Sequence, residues 1–138
     1  MNRIRVVLID KDFENQINLI DFKGIKGVEI CGFTDVLIKG IEIIRQESPD
    51  IILLGIELND GCGFDLLNEF DDYKFQVVFL IHKNDVLERT FSYSGIDYLL
   101  KPLDTKKLKT VLQKLLDTKF QRENTQNHND YNKRETKI

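Results

Sequence analysis

The sequence predicts a doubly wound α/β fold, a parallel five-stranded sheet with helices on both faces. Two observations carry that prediction. Five short apolar runs, each bounded by turn residues, alternate with segments whose apolar residues recur at helical spacing. The runs are apolar nearly throughout rather than every second residue, as strands covered on both faces are.

The elements follow in order. Ile4 to Ile9 (IRVVLI) is the first strand, and Asp10-Lys11-Asp12 follow it. Phe13, Ile17 and Ile20 fall at helical spacing and predict a first helix; Gly24 and Gly27 punctuate the return. Val28 to Phe33 is the second strand, and Glu29 and Gly32 mark it as less buried, an edge. Asp35 is the expected cap of a second helix striped by Leu37, Ile41 and Ile44, and Pro49 closes that region. Ile51 to Leu54 is too short for a helix and reads as a buried third strand, with Gly55 at its carboxyl end. Gly61 and Gly63 loosen the next loop, and Phe64, Leu67 and Phe70 stripe a short third helix. Gln76 to Ile81 (QVVFLI) is the fourth strand. Asn84 or Asp85 can cap a short fourth helix carrying Leu87 and Phe91. Ile96 to Leu100 is the fifth strand and ends in Lys101-Pro102. Asp104 is the expected N-cap of the last helix, where Leu108, Val111, Leu112, Leu115 and Leu116 make the cleanest amphipathic stripe in the chain. Five strands alternating with five helices fit the flavodoxin-like (βα)5 order 2-1-3-4-5, whose ligand crevice lies at the carboxyl ends of the central strands.

Composition narrows the function. The 138 residues suit one domain, with 41% hydrophobic and 31% charged residues. A net charge of −3 gives no general pull toward nucleic acid or anionic membrane. No apolar run approaches the roughly 18 residues of a membrane span, and the start has too short an apolar run for a signal peptide, so a cytoplasmic protein with no membrane contact is expected. Cys31 and Cys62 are too few for a disulfide scaffold or a zinc site. The stretch from Thr118 to Ile138 has five basic and three acidic residues, making it +2 and the body −5. It is rich in Asn, Gln and Thr. Residues 1–118 therefore read as the domain, and residues 119–138 as a polar linker or disordered tail.

The rim at the carboxyl ends gathers Asp10, Lys11 and Asp12 from the first strand, Gly55 and Glu57 from the third, Ile81 and His82 from the fourth, and Lys101-Pro102 from the fifth. Acids and a lysine on one rim would suit a divalent metal and an anionic group. PDIILLGIELNDGCGFDLL, followed by VVFLI and then GIDYLLKPLD, resembles the receiver domain of two-component response regulators over roughly Ile4 to Thr118. DYLLKPLD resembles receivers that precede a LytTR-type DNA-binding domain, which this chain lacks.

The resemblance implies an aspartate at the end of strand three that accepts a phosphoryl group, acids after strand one that hold Mg²⁺, a hydroxyl after strand four, a lysine after strand five and an aromatic switch on strand five. Asp10 and Asp12 match two of the acidic positions, and Tyr98 and Lys101 match the switch and the lysine. Lys11 stands in place of the metal-binding acid, Gly55 in place of the phosphoacceptor and Ile81 in place of the hydroxyl. A cis peptide is often found before the proline in this family, which makes Pro102 the candidate here.

The chemistry of these substitutions stands on its own. Glycine cannot form an acyl phosphate. A lysine repels a divalent cation and offers it no oxygen. Isoleucine cannot donate a hydrogen bond. The chain therefore reads as a pseudo-receiver, not an enzyme, with weak or absent Mg²⁺ binding and no other cofactor. Lys11 and Lys101 are expected to pair with Asp10, Asp12 or Glu57 and fix one conformation. Asp60 is the only loop carboxylate that could substitute as acceptor, but it lies five residues past Gly55. His82 is a lone histidine, and Cys62 has no neighbour that would activate it.

The expected partners are proteins: a histidine kinase or other signalling protein, and a second copy through the face of the fourth helix, fifth strand and last helix, where Phe91 and Tyr93 could lie. DNA would be reached only through an output domain. Two other functions stay open. One is a phosphorylatable receiver with a non-standard acceptor. The other is a flavodoxin-like cofactor binder, which the loop IDKDFEN disfavours because it lacks a Ser/Thr/Gly-rich phosphate cradle.

Overall fold

The computed structural model describes residues 3–14, 26–82 and 97–119. Five strands build one parallel sheet: β1 (Ile4–Ile9), β2 (Val28–Thr34), β3 (Ile51–Gly55), β4 (Gln76–His82) and β5 (Asp97–Lys101). Their spatial order is 2-1-3-4-5, the flavodoxin-like order, and β2 is an edge as its polar and glycine content implied. One irregularity interrupts the β1–β2 register: Val6 pairs with Ile30 and Val7 with Gly32, so Cys31 is the extra residue. Burial raises the pKa of the Cys31 thiol, against a smaller opposing pull from Arg5.

Alternation along the strands sends side chains into two apolar layers. Ile4, Val6, Leu8, Ile51, Leu53, Val78, Leu80 and Leu99 face one side, where Leu108 and Leu112 of the last helix (described over 105–119) cover them. Val7, Ile9, Ile52, Leu54, Phe79 and Ile81 face the other, covered by Ile44 of helix Leu37–Glu47 and Leu66 of helix Gly63–Leu67. Two layers buried against one sheet are why the strands read as continuous apolar runs. Gly40 gives helix Leu37–Glu47 its close approach: a Cβ there would stand 2.7 Å from Cδ1 of Ile9.

The helix ends are satisfied in different ways. Asp104 caps the last helix as expected, its Oδ1 accepting the Lys106 amide at 2.9 Å. Asp35 does not cap helix Leu37–Glu47. Its carboxylate accepts Asn59 Nδ2 at 2.9 Å instead, and the N-cap position, Val36, has no side chain to offer. Asp60, more than twenty residues downstream, reaches back: its carboxylate accepts the amides of Leu37 and Ile38. At the other end Arg5 donates to the carbonyls of Glu47 and Ser48 and pairs with Glu47 Oε1 at 2.7 Å, a cation where the helix dipole favours one.

The last helix is fastened at the opposite end of the sheet from the rim. Lys119 donates to the Arg3 carbonyl at 2.7 Å and to Asp50 Oδ2 at 3.0 Å, and the same oxygen accepts the Arg5 amide at 2.8 Å. Lys119 thus still belongs to the helix; residues 120–138, the rest of the expected tail, lie outside the described residues. So do most of the expected first helix and all of the fourth, including Asn84, Asp85, Phe91 and Tyr93. No helix among the described residues is long and apolar enough to cross a membrane.

Candidate functional site

The strand ends bring Asp10 and Lys101 together. Asp10 follows β1 and is 0% exposed, the one buried carboxylate among the described residues. Lys101 closes β5, its side chain 10% exposed. Its Nζ donates to both carboxylate oxygens of Asp10, at 2.9 Å and 3.1 Å, and stands 3.7 Å from Asp12 Oδ2. The Asp12 amide adds a third donor to Asp10 Oδ2 at 3.0 Å. A buried carboxylate held by an ammonium and an amide is a satisfied one.

Gly55 explains why Asp10 fits there. A Cβ built on Gly55 would overlap Oδ1 of Asp10 and stand 3.0 Å from its Cγ. The carboxylate of Asp10 therefore fills the space into which a side chain at position 55 would grow. A second glycine closes the floor: a Cβ on Gly63 would overlap the Gly55 carbonyl oxygen, and the Gly63 amide donates to Ile56 O at 2.6 Å. A two-residue antiparallel ladder, Glu57–Leu58 with Gly61–Cys62, folds the loop back over this point.

An open cavity of about 390 Å³ lies outside the ion pair, lined by Lys11, Asp12, Ile56, Glu57, Leu80, His82 and Lys101. The sequence put Ile81 on this rim. Ile81 is instead 1% exposed and packs in the Val7–Leu54 layer, while its neighbours Leu80 and His82 line the cavity. The reason is strand alternation: adjacent side chains leave opposite faces. β4, QVVFLIH, has no hydroxyl side chain to offer the cavity. Tyr98 is half-buried against the layer that contains Phe79 and Leu54. The Lys101–Pro102 peptide is cis.

The expected pairing holds for Lys101 and fails for Lys11. Lys101 meets Asp10 and Asp12, while among the described residues no carboxylate lies within 4 Å of Lys11 and no cation within 4 Å of Glu57. Lys11 and Glu57 are exposed, so water satisfies both. The residues do not fit a divalent metal. Both oxygens of Asp10 are committed to Lys101, position 55 offers no ligand, and no group of three His, Cys, Asp or Glu among the described residues could hold an ion.

Asp60 is engaged elsewhere. Desolvation is the largest single influence on its carboxyl and pushes it up. The amides of Leu37, Ile38 and Asp60 itself outweigh that and hold it below the usual carboxylate value. No feature of a single sequence pairs Asp60 with Leu37, which is why it escaped as a cap. Asp60→Ala is expected to destabilise the fold at the low end of the ~0.5–2 kcal/mol range for lost caps, since the carboxylate is open to solvent. The folded pKa lies below the unfolded one. The contribution is therefore fully present above the unfolded value of 3.8 and fades as pH falls through the folded value. Urea titrations of both proteins at pH 7 and below pH 3 would show the difference shrinking in acid.

Residues 6–113 match the response regulator receiver domain family. The chain is 30% identical over 115 residues to an uncharacterized response regulatory protein of Vibrio cholerae, covering 82% of this chain and 48% of that protein. It is 33% identical over 91 residues to the sensory transduction protein LytT of Bacillus cereus, covering 64% of this chain and 37% of that protein. The chain thus spans about half, or less, of the length of these relatives. Among solved structures, a two-component response regulator from Clostridium difficile superposes with a TM-score of 0.69 at 27% identity, covering 83% of this chain and 97% of the other. The receiver domain of AraT from Geobacillus stearothermophilus superposes with a TM-score of 0.72 at 16% identity, a likeness of fold covering 87% and 98%. The chain belongs to the response regulator receiver domain family, and is a receiver-like signalling domain of the two-component kind.

Proposed function

We propose that this receiver is a pseudo-receiver, which signals through protein contacts without accepting a phosphoryl group. One observation carries the reading: the Asp10 carboxylate, bound by Lys101 through both oxygens, occupies the space that an acceptor side chain at position 55 would need. Phosphotransfer needs a carboxylate that is open to an incoming phosphoryl group and near a metal. Asp10 is fully buried, Gly55 has no side chain, and Asp60 is bound to the start of a helix. Lys101, the residue that would hold a phosphoryl oxygen, already has an internal anion. The rim is thereby held in one state by an ion pair that no kinase or phosphatase can remove.

Its partners are proteins: a histidine kinase or another signalling protein, and a second copy. The DYLLKPLD segment and the LytT relative support placement ahead of a LytTR-type output domain, through which DNA would be bound and transcription controlled in the cytoplasm. The test is a two-dimensional NMR titration with Mg²⁺ and beryllofluoride, a mimic of aspartyl phosphate. The expected result is no shift at the amides of residues 10–12, 55–57 and 98–101. Saturable shifts there would overturn the pseudo-receiver reading and restore a phosphorylatable one.

A further inference from the structure

Charge is unevenly spread over the two sides of the sheet, with Arg45, which donates to the Glu69 carbonyl at 3.3 Å, a cation beside the acidic stretch and Asp117 the acid on helix 105–119. From Gln46 to Tyr73 the chain has eight acidic residues and no lysine or arginine. Glu47, Asp50 and Asp60 are used internally, by Arg5, by Lys119 and by helix amides. Asp65, Glu69, Asp71 and Asp72 are exposed, and among the described residues no cation lies within 4 Å of any of them. They sit on and just after helix Gly63–Leu67, which covers the Leu54 layer. Helix 105–119 covers the opposite layer. Its outer side bears Lys106, Lys107, Lys109 and Lys114, all exposed and likewise without a carboxylate within 4 Å among the described residues. At 100° per residue Lys106, Lys107 and Lys114 fall within the half of the helix turned away from Leu108 and Leu112, and Lys109 flanks that half.

Most of these charges oppose the dipole of their own helix; Asp65, in the first turn of helix Gly63–Leu67, and Lys114, in the second half of helix 105–119, do not. Lys106, Lys107 and Lys109 lie in the first turns, where the dipole disfavours cations. Glu69, Asp71 and Asp72 follow a helix carboxyl end, where it disfavours anions.

We propose that the lysine face of helix 105–119 docks on the Asp65–Asp72 face of a second copy of this chain. Each copy offers one surface of each sign on opposite sides of its sheet. The contact is therefore heterologous and propagates from copy to copy, unlike a two-fold pair that closes on itself. The acidic surface is present in the same molecule at the same concentration, and the net charge of −3 disfavours a polyanion as the occupant. This names a partner for the protein-contact module proposed above and rests on that reading. The test involves no phosphate mimic, so either can fail without the other.

Sedimentation velocity of the full chain, across a concentration series at 0.1 M and 1 M salt, tests it. The Debye length falls from about 10 Å to about 3 Å between these conditions. At low salt the weight-average mass is expected to rise with concentration above the 16.2 kDa of one chain. At high salt the apparent association constant should fall by about tenfold or more. Reversing the lysines (K106E, K107E, K109E, K114E) should abolish association, as should reversing the acids (D65K, E69K, D71K, D72K). An equimolar mixture of the two variants should restore it, because each reversed face meets its complement. The lighter pair K107E, K109E serves if the fourfold variants lose their circular dichroism. A single-chain mass at both salts overturns the proposal. So does association that survives either reversal, or a wild type that stays single but binds a duplex oligonucleotide through these lysines.

Discussion

Replacing Lys101 with methionine is expected to cost about 3–5 kcal/mol of folding stability, the range for breaking a buried ion pair from one side. The Asp10 carboxylate, 0% exposed, would keep, among the described residues, only the Asp12 amide at 3.0 Å. Asp10→Ala is expected near the lower end of that range. Lys101 retains slight exposure and has Asp12 Oδ2 at 3.7 Å to turn to. The double variant Asp10→Ala/Lys101→Met should recover most of the loss, because no unpaired charge remains. Urea unfolding of the four proteins gives the coupling directly. Losses that add in the double variant would show that the two groups do not act as one unit. With total stabilities of about 5–15 kcal/mol, either single variant should melt well below the parent.

Gly55→Asp is expected to fail as a repair of the phosphorylation site and to destabilise the protein by about 1–3 kcal/mol, as overpacking does. The new Cβ overlaps Oδ1 of Asp10, which is fixed by Lys101 and backed by β1. Relief requires Asp10 to turn out toward the cavity, leaving Lys101 to the new carboxylate. That exchange conserves the number of ion pairs but still offers no divalent ion a site, because Lys11 faces the same cavity. Gly55→Asp alone should therefore give no beryllofluoride response by NMR, while Lys11→Asp/Gly55→Asp should acquire Mg²⁺-dependent shifts near residues 10–12. A response from the single variant would show that Asp10 moves more freely than its three bonds imply.

The sheet was legible because its central strands are buried on both sides: runs such as IRVVLI and QVVFLI have one reading at that length. Four of the five strands reach one residue beyond the apolar run itself, at Thr34, Gly55, His82 and Lys101, because backbone pairing continues after the apolar residues stop. That the third strand ends on Gly55, a residue with no side chain, was also legible. What fills the space beside it was not. Only the three-dimensional overlap of Asp10 with the missing Cβ shows that the vacated space is filled rather than open. Ile81 was misplaced by one step of alternation, a choice that apolar residues on both sides leave undetermined. Asp35 was the natural local cap for the following helix, and Asp60 took the position because the loop after β3 folds back against it.

Helix Leu37–Glu47 has consequences for the order in which the chain folds. Its amino end is completed by Asp60 and its carboxyl end by Arg5, partners 23 and 42 residues away. An eleven-residue segment with a valine at the N-cap is too short to persist alone in water. The helix therefore matures only after β1 and the loop beyond β3 have met it, and two distant side chains report that meeting. Arg5→Ala should leave the early folding rate nearly unchanged and act mainly by accelerating unfolding, giving a φ-value near zero. A helix whose ends are closed from outside is a late and reversible addition to a sheet that forms around β1 and β3.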